Sequence, residues 1–173
     1  MMRISIGFGV VLAMLWSLAE AQVMSYGDDE LKLQDKSRAC FMVFAKLYDA
    51  YYFRSEDGGA RCVKLDYLRA FDQDELIEAT EKIFTKLHGE PVANRFADDL
   101  GRVAAAYQPV SPGTSYQYCV GGNGAGEMMR DGQVVVRLED PDFSERMMNI
   151  WVIAEEGDGK PRWNFSRCPG TVF

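Results

Sequence analysis

Few side chains in this chain could do chemistry, and their scarcity is informative. There is one histidine, His88. A multi-histidine metal site would need more, and any histidine-dependent triad rests on that single residue. Its place just before Gly89 fits a helix end, where the dipole favours a cation. The four cysteines, Cys40, Cys62, Cys119 and Cys168, include no CxxC pair, which gives no support to a zinc ribbon or a thioredoxin-type site. Gly121-Gly122-Asn123-Gly124 lacks the lysine and following helix of a phosphate loop and reads as a hairpin turn. Met128-Met129 and Met147-Met148 read as core packing.

Three features remain. Phe44, Tyr48, Tyr51 and Tyr52 form an aromatic run that could wall a lipophilic cleft or pack a sheet. Arg69 follows an apolar strand, where a guanidinium could clamp a carboxylate or form a surface ion pair with Asp66 or Asp72. Asp49 sits in an apolar stretch. A carboxylate buried there must be paired, and Lys46, Lys64 and Arg69 are the expected partners.

The elements that must position these groups follow from periodicity. Residues 22–30 are polar and read as loose. Leu31 and Leu33 suggest a short strand, and Asp35-Lys36-Ser37 a turn. Arg38 to Phe53 reads as one long strand, apolar on both faces and therefore covered on both. Folding a hairpin about Asp57-Gly58 sends the chain back through 61–69 and sets Cys62 opposite Phe53. That register disfavours a Cys40–Cys62 bridge. The period then changes to 3.6 residues. Asp72 and Glu75 form a capping-box pattern, Leu76, Ile77, Ile83, Phe84 and Leu87 mark one face, and a second helix runs from Pro91 to Tyr107. Strands are expected over 115–120 and 126–138, and a third helix opens on Asp140-Pro141 with Phe143, Met147, Ile150, Trp151 and Ala154 inward. The tail 157–173, with Trp163, Phe165 and Cys168, is too aromatic to hang free and is expected to dock. Segregated strands and helices predict an α+β fold, helices against an antiparallel sheet.

The chain has 173 residues, of which 47% are hydrophobic, enough for a substantial core. Its net charge of −7 is opposite to the basic footprint that nucleic acid requires. The first twenty-one residues read as a leader: Arg3, then an apolar run over 4–18, then Ala19-Glu20-Ala21 as a small-x-small cleavage pattern before Gln22. The run is about fifteen residues, short of the roughly 20 that span a bilayer. No cysteine follows it to carry a lipid anchor, and no later segment is long and apolar enough to span. Residues 22–173 are then expected to be a single secreted or periplasmic domain, with no stable membrane insertion once the leader is cleaved. One or two disulfides are expected there, and four cysteines allow three connectivities.

Motif order adds a resemblance. Leu47-Tyr48-Asp49-Ala50-Tyr51-Tyr52 is followed by Val63-Lys64-Leu65-Asp66-Tyr67-Leu68-Arg69. Tyr107-Gln108-Pro109 comes next with Pro112-Gly113, then the turn at 121–124, and finally the segment 143–151 ending in Asn149-Ile150-Trp151. This succession, over residues 31–155, resembles the bacterial chalcone isomerase-like proteins. The resemblance implies an open-faced β-sandwich, a large antiparallel sheet under a layer of helices with an apolar cleft between. Plant members of that superfamily close a chalcone into a flavanone there, using an arginine, a threonine and a tyrosine. Others resemble non-catalytic fatty-acid binders.

The catalytic set does not transfer. Residues 38–53 hold no threonine, Tyr48 stands near the expected place, Arg38 has the wrong context, and no motif fixes Asn94 or Tyr107. The expected function is therefore non-catalytic binding of a small lipophilic ligand such as a fatty acid, lined by Phe44, Tyr48, Tyr52 and Arg69, with no cofactor or metal. One alternative is a chalcone-cyclising intramolecular lyase or isomerase, with Arg38 or Arg69 as electrophile and a tyrosine as proton donor. Another is a partner-recruiting module without a cavity, whose protein partner the sequence does not identify.

Overall fold

A computed structural model describes residues 22–42, 44–156 and 160–171. The leader expected over 1–21 lies outside them, as do 157–159 of the tail. Seven strands form one sheet in chain order, every neighbouring pair antiparallel. They are β1 (Val23–Tyr26), β2 (Asp29–Phe41), β3 (Ala45–Ser55), β4 (Arg61–Tyr67), β5 (Ser115–Val120), β6 (Gly126–Arg130) and β7 (Gln133–Leu138). The helices α1 (Gln73–His88), α2 (Glu90–Arg95) and α3 (Ala97–Ala106) fall between β4 and β5, and α4 (Pro141–Met148) follows β7. A small second sheet pairs β8 (Val152–Glu156) with β9 (Lys160–Trp163).

Alternation along the strands divides the apolar residues between the two faces of the sheet. Ala50 and Tyr52 of β3, Val63, Leu65 and Tyr67 of β4, and Tyr116, Tyr118 and Val120 of β5 face the helices. They pack there with Leu76 and Phe84 of α1, Leu100 and Val103 of α3, and Phe143 and Met147 of α4. Phe53, Cys62, Cys119 and Met129 form a smaller cluster with Leu31 on the other side. Cys62 stands opposite Phe53, as the hairpin about Asp57-Gly58 requires. Its other neighbour across the ladder is Cys119, and the two form a disulfide. The second bridge joins Cys40 to Cys168, 128 residues apart, and ties the tail to β2. Together with Trp163, whose indole N–H donates to Asp35 at 2.8 Å, it docks the tail as its aromatic content predicts.

The helix caps are where the sequence places them. Asp72 and Glu75 make both halves of the capping box, and Asp140 accepts from Asp142 and Phe143. Several boundaries differ from expectation. Residues 23–26 are a strand, because they pair with 29–32 across a tight turn. The turn expected at 35–37 lies inside β2, where a bulge between Leu33 and Asp35 absorbs the irregularity. The long strand expected over 38–53 is two strands. The chain reverses after Phe41, and Met42 takes a left-handed φ of 49°. Its turn residues are apolar, so no glycine, asparagine or proline marks the break. Residues 126–138 reverse at Asp131-Gly132, both at positive φ, which is the geometry of a two-residue hairpin turn. The helix expected from Pro91 to Tyr107 is broken at Phe96, and α4 stops at Met148, so Ala154 lies in a strand rather than on a helix face.

Candidate functional site

A cleft of about 420 Å³ opens between the sheet and α1, within the usual range for small-molecule sites. Tyr48 of β3 and Leu65 and Tyr67 of β4 form its floor, because alternate residues of those strands face the helices, and Leu47 borders it near the start of β3. Leu76, Ala79, Thr80 and Ile83 present one side of α1 at three- and four-residue steps and form the opposite wall. Phe71, Tyr107, Ile150 and Trp151 close the ends, and Glu75, Glu78 and Lys82 stand at the rim.

The polar groups in this apolar space are phenols and one hydroxyl. Tyr67 makes edge-on contacts with Tyr48, Phe71 and Tyr116 at centroid distances of 5.8, 5.7 and 6.3 Å. Tyr107 packs edge-on against Tyr116 at 5.4 Å and shares a hydrogen bond of 2.8 Å with the Thr80 hydroxyl. The Tyr116 hydroxyl accepts from the Gln108 N–H. Among the described residues, the hydroxyls of Tyr48 and Tyr67 have no hydrogen-bond partner. Burial is the main cause that holds these phenols neutral. It raises Tyr48 and Tyr67 well above the usual range, with neighbouring phenols adding to the effect. Tyr107 is pushed up to about 12, with the Thr80 bond working against burial. At physiological pH they are hydrogen-bond donors, not bases. The cleft therefore offers apolar walls and two uncommitted donors, suited to an apolar molecule that ends in a carbonyl or carboxylate oxygen.

Of the four residues named from the sequence, Tyr48 alone lines this cleft. Tyr52 lies four residues further along the same face and is buried, beside a separate recess with Arg54, Arg61, Met148 and Asn149. Phe44 is 88% exposed, because it belongs to the turn between β2 and β3 and not to a continuous strand. Arg69 is exposed past the end of β4, its guanidinium 4.9 Å above the Phe71 ring, and Asp66 pairs with Lys64 instead. Asp49 does carry an ion pair, but with Arg38, in a two-point contact of 2.5 and 2.8 Å. Cross-strand register puts those two opposite each other, whereas Lys46 lies opposite Cys40. Asp49 alternates with Tyr48 and Ala50, so the pair sits on the face away from the cleft, and Arg38 is not a cleft electrophile. His88 meets the Arg146 carbonyl at 3.0 Å and packs on Phe84 at its helix end.

Thr80, Tyr67 and Tyr107 are cleft residues that the sequence reading did not single out. Thr80 carried a signal: it is the one polar residue in the stripe Leu76, Thr80, Ile83, Phe84. Tyr67 carried one in its alternation with Leu65 and Val63.

No protein-family model matches the chain, and no curated protein matches it. Among solved structures it is similar to the crystal structure of a fatty-acid binding protein of Arabidopsis thaliana, with a TM-score of 0.58 at 9% identity. The match covers 76% of this chain and 83% of that one. At that identity the likeness shows the fold. A curled antiparallel seven-stranded sheet with four helices is an α+β open-faced architecture like the chalcone isomerase fold.

Proposed function

We propose that this protein binds a single-chain lipophilic acid, a fatty acid being the model ligand, in the cleft between β3, β4 and α1, and performs no chemistry on it. The observation that carries the reading is the pair of uncommitted phenol donors, Tyr48 and Tyr67, inside an otherwise apolar space of about 420 Å³. The acyl chain lies against Leu65, Leu76, Ile83 and Trp151, and the carboxyl group accepts from the phenols. The similar solved structure, named for fatty-acid binding, supports the ligand class. Membership of the bacterial chalcone isomerase-like proteins rests on the motif order over 31–155.

Residues 1–21 act as a cleaved leader in this reading, and 22–173 form one domain in the periplasm or outside the cell. Two disulfides suit an oxidising compartment. A binder is favoured over a cyclase because neither Arg38 nor Arg69 lines the cleft.

Native mass spectrometry of protein purified from its own host, followed by organic extraction, tests the proposal. A co-purifying acyl acid, displaced by a fluorescent fatty acid, is the expected result. An empty protein that takes up no fatty acid overturns it, and a protein that accelerates chalcone cyclisation restores the enzyme reading.

A further inference from the structure

The turn between β2 and β3 presents Phe41, Met42 and Phe44 to solvent, 59%, 74% and 88% exposed. Three large apolar side chains within four residues on a convex tip are far from the scattered apolar residues of an ordinary surface. The other exposed large apolar residues described are Val23, Val134 and Leu68, and Leu68 adjoins this tip, its N–H bonded to the Leu47 carbonyl. The root of the tip is held in place. Cys40 at its root is bridged to Cys168, the Cys40 N–H donates to the Ser166 carbonyl, and the Cys168 N–H donates to the Arg38 carbonyl.

The charge at this end is reversed from that of the whole chain. Lys46, Arg69 and Arg167 are exposed around the tip. Of the acids nearby, Asp49 and Asp66 are matched by Arg38 and Lys64, and Asp72 is engaged as the cap of α1. A chain of net charge −7 thus carries a cationic collar around an apolar point. Leu47 and Tyr48, which line the cleft, follow the tip within four residues.

We infer that the β2–β3 tip docks the protein on the surface of an anionic phospholipid bilayer. Phe41, Met42 and Phe44 enter the boundary between headgroups and acyl chains, and Lys46, Arg69 and Arg167 lie against the phosphates. A bilayer accepts a convex apolar point without a matching hollow, whereas a protein partner must supply one. Docked in this way, the protein holds the cleft beside the membrane surface. The tip and the collar carry the inference without reference to what the cleft binds.

Flotation with vesicles of phosphatidylcholine plus phosphatidylglycerol, and with phosphatidylcholine alone, tests it. Binding to the anionic vesicles is expected to weaken by about tenfold or more when Phe41, Met42 and Phe44 are all changed to serine. It is also expected to weaken with salt and on Lys46→Glu. A Phe44→Trp variant gives a local readout that a retained leader cannot mimic. Vesicles with brominated acyl chains should quench its emission beyond any quenching of the unaltered protein. Equal flotation of the serine variant with no added quenching overturns the proposal. So does tip-dependent self-association without vesicle binding, which assigns the tip to a second copy. A fluorescent fatty acid offered in solution separates the two readings. Its retention by the serine variant leaves the cleft intact, and its failure with vesicle binding preserved removes the cleft proposal alone.

Discussion

The hydroxyls of Thr80 and Tyr107 lie 2.8 Å apart in the wall of the cleft, joining α1 to the end of α3. Both residues are buried, so each hydroxyl depends on the other for its hydrogen bond. Thr80→Val strands the phenol and is expected to cost about 1–3 kcal/mol, and Tyr107→Phe strands the threonine at similar cost. The double variant removes both polar atoms and should be less destabilised than the sum of the singles, with a coupling of about 1 kcal/mol. Urea unfolding of the four proteins measures it, and strict additivity would show that the pair does not stabilise the fold as a unit.

The same buried phenols set the alkaline limit of the fold. On folding, Tyr107 moves from the usual phenol value of 10.0 to about 12, and Tyr48 and Tyr67 shift in the same direction. Between those values the folded state keeps a proton that the unfolded chain has lost. Stability from these groups is fully present below the unfolded value and is lost as pH rises through the folded one. The expected outcome is a plateau through neutral pH and a decline that begins near pH 10.0, to which Tyr107 contributes about 3 kcal/mol when complete. Unfolding midpoints across the alkaline range check this, and Tyr107→Phe should flatten the decline.

The two disulfides predict different losses. Cys40–Cys168 closes a span of 128 residues and holds the tail that carries Trp163 and Phe165. Replacing both cysteines by alanine should cost about 3–5 kcal/mol by the loop-closure argument. It should also red-shift tryptophan emission as Trp163 is released. Cys62–Cys119 links residues already paired across adjacent strands. Its double alanine variant should lower stability without moving the emission, because no tryptophan depends on it. A red shift in both variants would contradict the separation.

The places where sequence and fold diverge have a common physical origin. Tight turns were legible where glycine follows a polar residue, as at Asp57-Gly58. The break after Phe41 was hidden because its apolar turn residues extend the strand pattern straight through the reversal. That error placed Phe44 on a cleft wall, when the structure puts it on an exposed tip. Asp131-Gly132 did carry a hairpin signal, masked by the apolar residues on either side. The partner of Asp49 was missed for a related reason. With 38–53 taken as one strand, Arg38 could not be seen as its cross-strand neighbour. The capping box at Asp72, the cap at Asp140 and the face of α1 were legible because local hydrogen bonds and a 3.6-residue period decide them. The meeting of Tyr48, Tyr67 and Tyr107 was not, because it depends on strand order and on where α3 ends.

The Arg38–Asp49 pair is mostly shielded, with side chains 23% and 13% exposed. Removing one partner leaves a charge with reduced access to water, and Asp49→Asn is expected to cost about 1–2 kcal/mol after allowance for that exposure. Because the pair faces away from the cleft, fatty-acid affinity should not change. A loss of affinity that matches the loss of stability would place the pair in contact with the binding site.

Filling the cleft separates binding from folding most directly. Ala79 lies on the exposed side of α1 and still lines the cleft, so an indole added there projects into the open space without displacing the core. Surface positions of this kind usually tolerate substitution within about 0.5 kcal/mol. The Ala79→Trp variant should therefore unfold close to the parent midpoint. Its affinity for a fluorescent fatty acid should fall by about tenfold or more, the equivalent of losing the burial of two methylene groups. Titration of the probe, with unfolding measured on the same preparation, gives both numbers. Unchanged affinity in a well-folded Ala79→Trp protein would move the ligand out of this cleft.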